Sequence, residues 1–210
     1  MSIDSSTGLR ARRKAETRSR ILSEAKALCA ESGFSRTRTI DVARAARVSH
    51  GSGFVHFPSR ENLMTAVVSE MAREITDSLH ARVTGGGSLR DVLAAHLESL
   101  VEHEDQIRWL IREAPVLPAG YLSAWVGLSS AVSFHISQAA ERDMAKGRVK
   151  QMPPHLLFNT WVGLVHHYVL NRELFSPGRR VLETHGPELL DHFMNLVSAP
   201  GANERKGRRT

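Results

Sequence analysis

Between Ala114 and Ala140 the chain carries no Asp, Glu, Lys or Arg, and a second run, 151–171, is equally free of charge. A helix with no charged side needs apolar cover all round, so these two runs demand a multi-helix packing. Each is long enough to suggest a membrane span. Pro115, Pro118 and Gly120 break the first, however, and His155, Asn159, His166 and His167 lie in the second, so no membrane partner is expected. In the second run Pro153 and Pro154 start a helix whose apolar residues point in nearly every direction. A last amphipathic helix, 187–197, follows the Pro177-Gly178 turn. Two adjacent helices with surplus apolar surface read as the interface of a homodimer about a two-fold axis, through Leu157, Trp161, Leu164, Val165, Tyr168, Leu190, Phe193, Met194 and Val197. Packing of both helices inside one protomer would satisfy the same periodicity.

The rest of the chain is helical in pattern too. Aromatics make up only 6% of the residues and β-branched residues are scattered, which argues against a β fold. Ile21, Ala25, Leu28 and Cys29 draw one stripe on a helix from Arg10 to Ser32, ended by Gly33. Ile40, Val42, Ala43 and Ala46 mark a short second helix, and a third must fit between Ser49 and Phe57. Pro58 then stops the chain, and Ser59 caps a long helix with Leu63, Val67, Met71, Ile75 and Leu79 at a spacing of four. Elements this short, joined by such tight turns, make a helix-turn-helix rather than a bundle. After the glycines 85–87, Ser88 and Asp91 form a capping box before an apolar face from Leu89 to Val101. The expected class is therefore all-α. Residues 1–9 are expected to be a disordered N-terminus, 10–58 a three-helix helix-turn-helix domain, 59–198 a larger helical regulatory and dimerisation domain, and 199–210 a disordered basic tail.

Charge is distributed unevenly. The net charge is +6, yet residues 1–60 hold twelve Lys and Arg against five acids, and the tail from Gly201 adds four bases and one acid. A chain that is basic only at its ends has the electrostatic footprint of a nucleic-acid binder, with a solvated basic face as the plainer reading. The single Cys29 cannot form an intrachain disulfide and no apolar leader follows Met1, so a cytoplasmic location is expected. Eleven histidines raise the alternative of a helical metal protein or enzyme. His166 and His167 are adjacent and point to different faces, however, and Glu102 and Glu104 flank His103 without ligand spacing. No cofactor, metal or enzymatic activity is expected.

The decisive stretch is RVSHGSGFVHFPSRENL, residues 47–63. Its G-S-G is no mononucleotide loop, because Gly53 is followed by Phe54-Val55 rather than Gly-Lys and no strand precedes it. With Thr17, Ile21-Leu22, Gly33-Phe34 and the run 37–46, it resembles the N-terminal DNA-binding domain of the TetR family of bacterial transcriptional regulators, over residues 17–64. The resemblance implies that the third helix enters the major groove by its N-terminal end. Ser49, His50, Gly51 and Ser52 would then face bases, with Val55 near a thymine methyl and Phe54 and His56 on the same helix. Thr17, Thr37, Arg38, Thr39 and Arg60 would hold phosphates, and Arg44 would reach the backbone or the groove edge. Arg10 to Lys14 would form a basic arm ahead of the first helix. The chain departs from the family where it has Gly53 for leucine, Phe54 for tyrosine and Arg47 for glycine, which implies a loosely formed recognition helix.

In such proteins the larger domain dimerises and encloses a small-molecule site. Leu100, His103, Trp109, Leu110, Trp125, Ser129, Val132 and Ile136 are the candidate lining residues here. The function so implied is a homodimeric repressor on duplex DNA, released from a palindromic operator by a small, largely apolar effector. A protein that coats DNA without sequence preference remains the alternative.

Overall fold

The computed structural model describes residues 4–83 and 86–200. Helix α1 (Asp4–Ser32) is followed by two short helices, α2 (Thr39–Ala45) and α3 (His50–His56), and then by the long α4 (Arg60–Val83). Next come α5 (Leu89–Val101), α6 (Glu104–Glu113), a 3-10 turn (Ala114–Val116) and α7 (Ala119–Ala145). The chain closes with α8 (Pro154–Leu170), the one-turn α9 (Arg172–Phe175) and α10 (Val181–Val197). Among the described residues the only extended pairing is a bridge between Val149 and Ser198.

Helix α4 is the spine. Its spacing of four buries Leu63, Val67, Met71, Ile75 and Leu79 against α5 and α7, as the sequence predicts. Ser88 and Asp91 do form the capping box at the start of α5. The buried Asp143 of α7 accepts a hydrogen bond from the Leu89 backbone N–H at 2.9 Å, which fixes that helix start to α7. A second buried carboxylate acts the same way: Glu104 accepts from the N–H groups of Val181 and Leu182, at 3.0 and 2.9 Å. That cap explains why α10 begins at Val181, six residues before the expected start, and carries Pro187 inside it.

The chain ends also differ from expectation. Residues 4–9, expected to be disordered, belong to α1, and the basic arm Arg10 to Lys14 is helical. The stretch is rich in helix-forming Arg, Lys and Ala, and Arg12 bonds Glu16 one turn on at 3.0 Å. Ala199, placed in the expected tail, donates its backbone N–H to the carbonyl of Arg148, so the ordered chain reaches past the end of α10. The remainder of that tail, 201–210, lies outside the described residues.

Candidate nucleic-acid interface

The helix-turn-helix head is built on the turn between α2 and α3. Arg47 has φ +54°, and its N–H donates to the carbonyl of Arg44 while the Val48 N–H donates to that of Ala43. These two bonds are a Schellman motif, which places Val48 against the core and turns the chain sharply into α3. The family glycine that Arg47 replaces is explained by this left-handed conformation. On the inner side, Phe57 is buried beneath the Arg18 guanidinium, 4.8 Å from the ring centroid. Ser59 accepts from the Asn62 N–H and so caps α4.

Helix α3 leaves a void at Gly53. A cavity of about 20 Å³ lies between Ile21, Val42, Ala43, Phe57 and Leu63, and a Cβ at Gly53 would meet nothing within 4 Å. The outer face is open: Gly51 is exposed and Val55 is 69% exposed. The side chains of His50, Ser52 and Phe54 lie outside the described residues.

The predicted contact residues divide by environment. Arg38 and Arg44 are exposed and bracket Asp41, at 2.8 and 3.6 Å, from the N-cap and the last turn of α2. Ser49 is exposed at the turn, while Thr39 and Thr17 are half-buried. Two others are committed inward. Thr37 is 3% exposed and its hydroxyl donates to the Gly33 carbonyl at 2.7 Å, so it holds the turn and not a phosphate. The Arg60 guanidinium donates to the carbonyls of Phe34 and Thr37, tying α4 to the same turn. His56 is half-buried with its Nδ1 enclosed, and burial, then Lys14 and Arg18, pushes its pKa below the ordinary histidine value. It therefore packs between α3 and α1 rather than facing outward. Two further exposed arginines near α2, Arg36 and Arg47, were not among the expected contact residues.

The larger domain contains a small, partly open hollow of about 30 Å³, room for roughly two waters. Leu100, Trp125, Ser129 and Val132 line it as expected, joined by His96, Phe158 and His166. The other candidates lie elsewhere. Leu110 and Ile136 are fully packed core residues. Trp109 points to the head, where its indole N–H donates to the Ala30 carbonyl at 3.1 Å. His103 lines a separate polar groove. The cavity wall is chemically defined: Trp161 donates to His96 Nδ1 at 3.1 Å, so the neutral ring carries its proton on Nε2. Burial, then the neighbouring His166, lowers the His96 pKa to about 3, and burial lowers that of His166 to about 4.

The expected dimer residues are mostly spent inside the protomer. Leu157, Trp161, Val165, Leu190, Phe193 and Val197 are buried against α5, α8 and α10 themselves, and only Leu164, Tyr168 and Met194 are half-buried. The apolar surface left on α8 is instead Leu156, 53% exposed, and Leu170, 39% exposed, with Thr160, Gly163 and His167 between them. No helix among the described residues is long and apolar enough to cross a membrane.

Residues 21–67 match the family model described as bacterial regulatory proteins, tetR family. The chain is 30% identical over 92 residues to the HTH-type transcriptional regulator CymR of Pseudomonas putida, a match covering 44% of this chain and 45% of that protein. Over its length the fold is similar to solved structures. E. coli NemR in its reduced form has a TM-score of 0.72 at 20% identity, with 88% of this chain and 98% of that chain covered. A transcriptional regulator from Saccharomonospora viridis in complex with choline has a TM-score of 0.76 at 16% identity, with the same coverage of 88% and 98%.

Proposed function

We infer that this chain, a TetR-family protein with a helix-turn-helix head, is a homodimeric regulator that binds a palindromic operator and leaves it when a small, largely apolar effector binds. The observation that supports DNA reading is the arrangement of the head. An open α3 face with Gly51 and Val55 outward is flanked by the exposed cations Arg36, Arg38, Arg44 and Arg47. Small side chains allow close approach to base edges, and the cations supply the sequence-independent attraction that sets register.

The dimer reading transfers from the inward stripe to the outward face of α8, where Leu156 and Leu170 flank Gly163 and bring two helices close together around a two-fold axis. The effector reading rests on the small cavity bounded by Trp125, Ser129, His96 and His166. A ligand of ordinary size is enclosed there only when α5, α7 and α8 part, so its binding energy favours an opened state over the closed one. Helix α6 carries such a change to the head: Ile107 lines the cavity, Trp109 bonds Ala30, and Glu113 accepts from the backbone N–H and hydroxyl of Ser35 at 2.9 and 3.0 Å. Repression relieved by ligand is the direct consequence if the opened state spaces the two heads wrongly for DNA.

The test is selection of genomic fragments by the purified full-length chain at physiological salt, followed by sequencing. A shared palindrome near a promoter supports a specific regulator. Strong binding without a common motif replaces this reading by a DNA-coating protein, and no binding removes both.

A further inference from the structure

A second hollow lies between the head and the larger domain, apart from the apolar cavity. Lys26 of α1, Glu74 and Arg82 of α4, Glu98 of α5 and Gln106 of α6 meet around it, and its volume is about 400 Å³. That is the size of a small-molecule site. Its cations already have partners in the wall. The Lys26 ammonium is bonded by both Glu74 oxygens, at 2.5 and 2.7 Å, and Arg82 Nε donates to Glu98 at 3.0 Å. His103 Nε2 is 3.6 Å from Glu74, and burial lowers its pKa, so it adds no charge at neutral pH.

Two groups in the wall are uncommitted. Glu102 makes no hydrogen bond or ion pair among the described residues and gives the groove one surplus negative charge. Gln106 is only 9% exposed, and its Oε1 is enclosed without a donor. A buried amide oxygen left in that state has lost its water without gaining a donor, so it marks a place where a donor belongs. Both uncommitted groups are acceptors, and one is charged. We propose that the groove binds a small organic cation bearing N–H groups, a primary ammonium or amidinium compound, held by Glu102 and donating to Gln106.

The requirement for N–H is part of the assignment. A quaternary ammonium group would balance Glu102 but leave Gln106 unpartnered, because it has no hydrogen to donate. An occupant would bridge α1 of the head to α4, α5 and α6, fixing the angle between head and larger domain. Binding itself does not depend on the regulator reading, and it is measured without DNA.

The experiment is calorimetric titration of the full-length chain with 1,4-diaminobutane and with its fully N-methylated bis-quaternary analogue. Saturable binding of the diamine is expected, weakened at least about tenfold by Glu102→Gln and by Gln106→Leu, and weakened as much for the analogue. Glu102 is exposed and its variant keeps the fold, so it decides the case even if Gln106→Leu does not fold. Absence of diamine binding at millimolar concentration overturns the assignment, as does equal affinity for the analogue or an unchanged affinity in Glu102→Gln.

Discussion

Arg47 and His96 show how single residues set the energetics of the head and of the larger domain. Arg47 occupies a left-handed position, φ +54°, where a side chain costs about 1 kcal/mol that glycine does not. Arg47→Gly should therefore raise the melting temperature by about 2–4 °C for a chain of this size, read by differential scanning calorimetry. A lower value would mean that the arginine side chain makes contacts outweighing the strain. His96 contributes in a pH-dependent way. Its folded pKa, about 3, lies below the unfolded value near 6.5, so the unfolded chain binds the extra proton between these limits. The stability is fully present above about pH 6.5 and falls as the pH drops towards 3, by on the order of a few kcal/mol. His96→Gln keeps an acceptor for Trp161 but does not titrate, so its melting temperature should fall less steeply between pH 7 and 4.5. Parallel curves for the two proteins would remove His96 from the acid response.

At the scale of one element, α3 is short and incompletely anchored. Only seven residues long, it has glycine where its inner face meets Ile21, Val42 and Leu63, and a cavity stands in place of a side chain. Gly53→Ala should stabilise the free protein by about 1 kcal/mol through helix propensity and lost freedom of the unfolded chain, since its Cβ meets no neighbour. Gly53→Leu should add burial of the extra methylenes. If melting is unchanged in both variants, α3 is already fully formed without its operator and the loose-helix reading fails. Elements with regular spacing or a local cap were legible from the sequence: the α4 stripe, the Ser88–Asp91 box and the Gly33 stop, where Gly33 donates to the Cys29 carbonyl at φ +88°. The Schellman turn at Arg47 was not, because arginine carries no signal for a left-handed position. The start of α10 was hidden likewise, since its cap, Glu104, lies 77 residues away in the chain.

At the scale of the whole molecule, the two uncharged runs implied cover all round, whereas α7 and α8 are packed on one side and keep exposed apolar residues, Val126 and Phe134 on α7 and Leu156 on α8. Helix α8 is apolar on two sides, and periodicity cannot say which of them meets its own protomer; contact with α6, α7 and α10 is decided by tertiary packing. The polar groove was illegible for a related reason, being assembled from Lys26, Glu74, Glu102 and Gln106 on separate parts of the chain. Once the inner stripe is assigned to the core, the outer α8 face makes a distinct prediction about assembly. Leu156 and Leu170 lie on one side of the helix and are exposed, so replacing both by Glu places charges on that face without opening the protomer core. In a dimer built on α8, four like charges would meet across the two-fold axis and be desolvated there. The Leu156→Glu, Leu170→Glu double variant should sediment as a folded monomer with near-unchanged helical circular dichroism. It should also lose most of its operator affinity, because two linked heads bind far more tightly than one. A double variant that stays dimeric would exclude this face of α8 as the interface. A monomer with undiminished DNA affinity would keep the interface but show that each head binds independently.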